Sequence, residues 1–345
     1  MREADAQARA IGLVHGYMLS QVLGVAARLG LPELLRDGPH TAEKLAGRTG
    51  TQPAALHRLL RALDSAGVAE RVPGEGGGYV LTEFGAALCP GGPAPAAALA
   101  DLFTSDAVWR PWGRLLHSVR TGETAFEAEF GMPAFAYFAE HPQVYGLFNA
   151  AMAENARGAA PLVAEGYDFS RFRTVVDVGG GNGALLAALL AAHPAARGVL
   201  LDTADGVAGA PGVLGAAGVA DRCRVVAGDF FAEVPSGGDA YVLKSVIHDW
   251  DDERSRTILA ACRRAMEPGA TLLLVEPVLP PEDGPPAPLS TVLSDLNMLV
   301  MAGGRERTEA DFAALLDASG FTLESVGPAL APTDFRVLTA VPHDR

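Results

Sequence analysis

The chain predicts an α/β fold, a mostly parallel sheet with an antiparallel edge strand and covering helices, preceded by an α-helical winged-helix region. Three observations lead there. After Tyr167, short continuously apolar runs alternate with helical periods, the pattern of βαβ units whose strands are buried on both faces. The first of these runs ends in VVDVGGGNG, residues 175–183, where an acid and a cluster of glycines imply a strand turning tightly around a ligand. Ahead of it, residues 41–88 read as two helices and a Gly-rich hairpin.

Length and composition set the frame. At 345 residues the chain exceeds what one core usually supports, and the composition shifts divide it into residues 1–100, a helical 101–165 and an α/β 166–345. The formal charge of −14 argues against nucleic acid or an anionic membrane as main partner, while a cationic small molecule is tolerated. Cys89, Cys223 and Cys262 are scattered, with no CxxC pair and no His/Cys cluster, so neither a disulfide framework nor a zinc site is expected. The N-terminus lacks a signal-peptide pattern, and no stretch reads as the roughly 18 apolar residues of a membrane helix, which predicts a cytoplasmic protein.

Along the chain, residues 11–35 place Leu13, Met18, Leu19, Val22, Leu23, Ala26, Leu29, Leu31 and Leu34 at helical spacing, a face suited to core or subunit interface. Thr41 caps a short helix that turns at Gly50; a second helix follows with Leu56, Leu59, Leu60 and Leu63 inward, then the hairpin. This winged helix-turn-helix suggests DNA binding, but residues 1–100 hold nine Arg/Lys and nine Asp/Glu, without the basic face that phosphate neutralisation requires. An interaction role is the better reading. A Pro/Gly-interrupted connection, ALCPGGPAPAAALA, leads into a segment rich in large side chains from Phe103 to Met152, which predicts a dense helical core or the wall of an apolar pocket. The later segment gives strands at VVDVGG, GVLLD, RVVAGDFF, DAYVLKSVIH and ATLLLVEPV, helices at ALLAALLAA, SRTILAACRRAM and ADFAALLDASG, and a late strand pair at FTLESVG and FRVLTAV.

The glycine loop alone leaves two ligands open. Gly179, Gly181 and Ala184 satisfy the dinucleotide pattern and Asp202 could hold a ribose, as in a nicotinamide-dependent oxidoreductase. Asp177, just ahead of the glycines, would oppose a pyrophosphate and suit an ammonium or sulfonium. Asp229 with Phe230 offers a hydrogen-bond acceptor and an aromatic face for an adenine.

VVDVGGGNG, VLLD, GDFF, LKSVIHDWDDE and GGRERTEADF, in this order behind a winged-helix region, closely resemble the S-adenosylmethionine-dependent O-methyltransferases of the plant caffeic-acid type and their bacterial counterparts in aromatic polyketide and antibiotic tailoring. The resemblance covers essentially the whole chain. It implies a class I methyltransferase domain behind a winged-helix dimerisation domain, a homodimer, and S-adenosyl-L-methionine converted to S-adenosyl-L-homocysteine. It implies that Gly179, Asp202, Asp229, Phe230 and Lys244 line the cofactor site, and that His248 is the base with Glu276 and Glu306 beside it. Phe148, Met152 and Asn155 match pocket-lining positions of the plant enzymes.

The residues support that chemistry independently. Methyl transfer to a hydroxyl needs an aligned oxygen and a group to take its proton. With ordinary pKa values near ~10 for a phenol and ~6.5 for an imidazole, full prior proton transfer is uphill by roughly 5 kcal/mol, so concerted removal by a placed base is preferred. His248, ending a strand on the ligand edge, is the candidate; Glu276 ends the next strand, and Glu306 follows Gly303 and Gly304. A carboxylate on one ring nitrogen would leave the other free as base. Asp249 beside the base, with Asn297, Met298 and Met301 in the helical stretch SDLNMLVM, would wall the acceptor pocket alongside the three residues above. No clustered carboxylate/Asn set points to a metal. The expectation is methylation of a hydroxyl, most simply phenolic, on an aromatic small molecule; the competing readings are a nicotinamide-dependent oxidoreductase and a ligand-sensing winged-helix regulator.

Overall fold

The computed structural model describes residues 3–74, 77–92 and 95–343; the hairpin tip at 75–76 and residues 93–94 of the Pro/Gly connection lie outside them. The chain forms two compact units, one of residues 1–109 with 143–155, the other of 110–142 with 156–345.

In the first unit the apolar stretch expected as one helix over 11–35 is three: Glu3–Val14, Gly16–Arg28 and Leu31–Arg36. Gly30 takes a left-handed φ of 61°, and Pro32 sits in the first turn of the third helix, which ends one helix and starts the next. Ile11, Leu13, Val14, Tyr17, Met18 and Leu19 are exposed. The 24-residue run Asp5–Arg28 is long and apolar enough, by length and composition, to cross a membrane. That corrects the expectation of no run of membrane length: polar residues such as His15, Ser20 and Gln21 interrupt the apolar ones, but the average over the run stays apolar.

The winged-helix segment follows in the same unit. Thr41 Oγ1 accepts from the Lys44 N–H at 3.3 Å and caps Ala42–Thr49, which ends on Gly50 at φ 67°. Gln52 caps Pro53–Ser65. Strands β1 (Ala69–Val72) and β2 (Gly78–Leu81) pair antiparallel as the wing. Leu31, Leu35, Leu45, Leu56, Leu60, Leu63, Val68 and Tyr79 close the core of this unit.

The second unit carries β3 (Thr174–Val178), β4 (Arg197–Asp202), β5 (Cys223–Ala227), β6 (Ala240–Lys244), β7 (Thr271–Leu279), β8 (Arg307–Thr308), β9 (Phe321–Val326) and β10 (Phe335–Pro342). Their order is β5-β4-β3-β6-β7-β10-β9, with β8 paired to β7. The pairs from β5 to β7 are parallel, and β10 runs antiparallel to both β7 and β9. The chain builds outward from β3 to β5, then returns to lay β6 on the other side of β3. That reversal opens a crevice beyond the carboxyl ends of β3 and β6, the place where doubly wound sheets bind ligands. Two apolar clusters cover the sheet faces. One contains Val176, Val178, Leu243 and Ile258, the other Val175, Leu186, Leu200 and Val242.

Two strands are shorter than their apolar runs suggested. The run to Phe231 leaves the sheet at Ala227, and Asp229 Oδ1 accepts the Phe231 N–H at 2.9 Å in a turn. The run to His248 stops at Lys244, because Ser245 turns left-handed at φ 53° and Ile247–Asp249 winds into a 3₁₀ turn. Among the large side chains, Phe126 and Phe138 are buried and stack edge-on with centroids 5.9 Å apart, whereas Phe103 is exposed.

Candidate active site

Gly179, Gly181 and Gly183 bend the chain out of β3 with φ of 74°, 56° and 77°, values that L side chains resist. Asp202, ending β4, anchors the loop: its Oδ2 accepts the Gly181 N–H at 2.7 Å and its Oδ1 accepts the Thr203 N–H at 2.7 Å. Burial pushes the Asp202 pKa up, against those hydrogen bonds. Phe230 reaches back over the loop, its Cε1 lying 3.5 Å from where a Gly179 Cβ would stand. Asp229 is exposed beside it.

Asp177 sits differently from the sequence picture of an acid facing the ligand. It is 1% exposed, under the loop, and a Cβ on Gly180 would fall 2.4 Å from its Oδ2. Alternation explains this, since Asp177 shares its side of β3 with buried Val175. Burial, with Asp202 adding to it, pushes its pKa up to about 7. Lys244, at the end of neighbouring β6, donates to Ser245 Oγ at 3.0 Å and lies 4.4 Å above the Phe335 ring. Burial brings its pKa down to about 8 even though Glu276 and Asp177 oppose that.

His248 stands in the turn after β6. Its Nδ1 is 2.9 Å from Glu306 Oε1 and 3.5 Å from Glu276 Oε2, and its Nε2 is 3.8 Å from Asp249 Oδ1. Glu276 lies within β7, which runs on to Leu279 rather than ending at the acid. Its Oε1 accepts from the Val246 and Ile247 N–H groups at 3.0 and 2.9 Å, tying the turn to the sheet. Burial works against an imidazolium, but Glu276, the Glu306 hydrogen bond and Asp249 outweigh it, and the His248 pKa is pushed up to about 10. Burial raises Glu276 to about 7 and Asp249 to about 6. Ligand-type atoms of His248, Glu276 and Glu306 lie within 4.8 Å of one another, so the three residues expected to meet at the base also form a carboxylate–imidazole cluster of the kind that can hold a metal ion, which was not expected from the sequence.

Four supporting features escaped the sequence reading. Arg307, fully buried, donates to Ile247 O at 3.0 Å, Trp250 O at 2.9 Å and Asp252 Oδ1 at 2.8 Å, pinning both ends of the His248 turn. Gly304 packs against the same turn so closely that a Cβ would lie 2.0 Å from His248 O. Ser294 donates to Glu306 Oε1, and Trp250 stacks on Phe135 with centroids 5.1 Å apart. Arg307 and Gly304 were within sight, inside the GGRERT motif; Ser294 was marked only by sharing a helix face with Met298 and Met301.

The remaining predicted residues divide between the two units. Asn297 is part-buried on the helix Leu289–Met301, with its Oδ1 accepting from Trp112 Nε1 at 2.9 Å, and Met298 and Met301 are buried on the same helix. Phe148, Met152 and Asn155 belong to the first unit, on the helix Pro142–Gly166. There Phe148 stacks on Tyr145 with centroids 6.5 Å apart, Met152 is half-buried and Asn155 is exposed.

Comparison with known proteins adds the lineage. Residues 112–322 match the model of the O-methyltransferase domain, and residues 11–91 match that of the O-methyltransferase dimerisation domain. The chain is 45% identical over 316 residues to a phenazine O-methyltransferase of Lysobacter antibioticus, covering 92% of this chain and 91% of that protein. It is 44% identical to the O-demethylpuromycin-O-methyltransferase of Streptomyces alboniger over 98% of this chain and 89% of the relative. The solved structure of human N-acetylserotonin methyltransferase in complex with SAM superposes with a TM-score of 0.89 at 26% identity, over 100% of this chain and 99% of that one. The oxidoreductase and regulator readings fall away: this chain belongs to the O-methyltransferase family and carries both its dimerisation domain and its O-methyltransferase domain.

Proposed function

We propose that this chain transfers a methyl group from S-adenosyl-L-methionine to a hydroxyl, most simply phenolic, of an aromatic secondary metabolite, with His248 as general base. The observation that carries this reading is the His248 turn: a ring whose Nδ1 is engaged by Glu306 at 2.9 Å, leaving Nε2 for an acceptor hydroxyl. The names of the phenazine and puromycin relatives support an antibiotic-tailoring role.

The donor fits the residues present. A glycine loop without side chains, an acid at the end of β4, an aromatic ring against Gly179 and Lys244 at the end of β6 suit a ribose, an adenine and an amino-acid tail. Gly179, Gly181, Asp202, Asp229, Phe230 and Lys244 would hold it, and Asp177 would support the loop from beneath. When bound, S-adenosylmethionine supplies an electrophilic methyl group on a sulfonium and leaves as S-adenosylhomocysteine.

The chain's own residues manage the proton. Carboxylates on Nδ1 keep that nitrogen protonated, so loss of a proton frees the lone pair on Nε2. With its pKa pushed up to about 10, His248 matches a phenol, and the uphill step expected for an ordinary imidazole disappears. The same strength has a cost: near pH 7 the ring is mostly protonated before a cationic ligand arrives to lower the pKa. Turnover should therefore rise with pH through the neutral range. We assign the His248–Glu276–Glu306 cluster to this proton chemistry, in which Nδ1 meets Glu306 Oε1 at 2.9 Å and Ser294 donates to the same oxygen.

Asp249, Asn297, Met298 and Met301 are the acceptor-pocket residues of the second unit in this reading, with residues 166–345 as the donor-binding domain. Residues 1–100 serve dimerisation, the exposed apolar face around Leu13 and Tyr17 meeting a second copy in a cytoplasmic homodimer, with no nucleic acid or membrane as partner. Incubation with S-adenosylmethionine and a panel of hydroxylated aromatics, read by mass spectrometry, should give a product heavier by one methylene and stoichiometric S-adenosylhomocysteine. Absence of methylated product, with NADH oxidised instead, would overturn the proposal.

A further inference from the structure

His248 is held by an oxygen that a second side chain also uses. Ser294, on the helix Leu289–Met301, donates its hydroxyl to Glu306 Oε1 at 2.6 Å, and His248 Nδ1 meets that same oxygen at 2.9 Å. The next residue, Asp295, accepts the Glu306 N–H at 2.9 Å. Two successive residues of one helix therefore fix Glu306 through its side chain and its backbone. The helix is itself tied down three residues further on by the Trp112–Asn297 hydrogen bond at 2.9 Å. Glu306 Oε2 is buried and has no hydrogen-bond partner among the described residues, so the orientation of this carboxylate depends on what Oε1 receives.

We propose that Ser294 is a positioning residue of this active site: its hydroxyl holds Glu306 Oε1 against His248 Nδ1 and sets how tightly the ring keeps its proton. The role rests on the reading of His248 as base. A hydroxyl donated to a carboxylate spreads its charge, leaving less to hold a neighbouring imidazolium. The charged groups facing the ring are Glu276 from β7, Glu306 from the segment before β8 and Asp249 from its own turn, all acidic. Lys244 at the end of β6 acts on Glu276 and Asp249, and Arg307 is turned to the carbonyls of the His248 turn and to Asp252. Replacing Ser294 by Ala changes none of those charges and removes only the donated hydrogen bond.

The sign follows. Without the hydroxyl, Glu306 concentrates its charge on Nδ1, the ring holds its proton more firmly and the neutral fraction at a given pH falls. The test is an NMR titration of histidine-labelled full-length protein, with the His248 signal assigned through His248→Gln. In Ser294→Ala the His248 midpoint should move up by about half to one pH unit, the size of one typical net hydrogen bond. Ser294→Thr should restore the parent value, and Ser294→Cys, a weak donor, should fall between; these two also serve if the Ala variant does not fold. The rising limb of kcat/KM should move with the midpoint while the KM for donor stays unchanged. A midpoint that moves by less than about 0.2 unit, or downward, in folded variants overturns the proposal. A midpoint that moves while the rate profile does not keeps the Ser294–Glu306–His248 linkage but removes His248 as base, and with it the positioning role of Ser294 in catalysis.

Discussion

Gly304→Ala tests the placement of the His248 turn with a single methyl group. The added Cβ would stand 2.0 Å from His248 O, 2.4 Å from Asp249 C and 2.5 Å from Trp250 N, all backbone atoms that no rotamer change can move. Ordinary contact begins near 3.4 Å, so the turn must retreat by about 1.4 Å. Arg307 opposes that movement, holding Ile247 O at 3.0 Å and Trp250 O at 2.9 Å, and Glu276 holds the Val246 and Ile247 N–H groups from the sheet. Overpacking of this kind costs about 1–3 kcal/mol of stability, and a 1 Å misplacement of a catalytic group costs about 10²-fold in rate. Turnover with donor and acceptor saturating should fall by about that factor. Affinity for S-adenosylhomocysteine, measured by calorimetry, should stay within about threefold, because the three atoms nearest the Cβ all belong to the His248 turn and not to the glycine loop. A folded variant turning over within about threefold of the parent would refute the claim that the turn is held in one catalytic position.

Two further substitutions probe the donor side. Asp202→Ala should weaken S-adenosylhomocysteine binding by at least about tenfold, since it removes both a ribose partner and the acceptor that fixes Gly181; unchanged affinity in calorimetry would exclude Asp202 from the site. Asp177→Asn should stabilise the fold more at pH 8 than at pH 5. A carboxyl raised from 3.8 to about 7 contributes its stability at low pH and loses it as pH rises toward 7, at about 1.36 kcal/mol per unit, so up to about 4 kcal/mol is at stake. Melting temperatures of parent and variant that keep a constant gap from pH 5 to pH 8 would show that Asp177 is ionised throughout.

The architecture was legible wherever one period dominated. The unbroken apolar strands declared a buried parallel sheet, and Thr41 with Gly50 bracketed a helix that the structure caps at those residues. Boundaries were less legible because hydrophobicity outlasts the hydrogen-bond ladder: the run through Val246 and Ile247 stays buried after Ser245 has turned the chain out of the sheet. In the site, the acids whose positions follow from strand ends stood out, but their directions did not. Asp177 falls on the loop-supporting side of β3 through strand alternation, which its spacing to the glycines conceals. Arg307 is hard to place from sequence because charged residues usually stay solvated; it is buried because Ile247 O and Trp250 O of the His248 turn, with Asp252 Oδ1 and Ser255 Oγ of the helix that follows, converge on its guanidinium. Partners such as Ser294 and Glu306 meet only through tertiary packing, and no sequence period reports that.

The most direct measurement for the central claim is turnover of His248→Ala with S-adenosylmethionine saturating, beside S-adenosylhomocysteine affinity in the same preparation. Loss of the base predicts a fall of about 10²- to 10⁴-fold in rate with affinity nearly intact. Turnover within about threefold of the parent would contradict the assignment of His248 as the residue that takes the acceptor's proton.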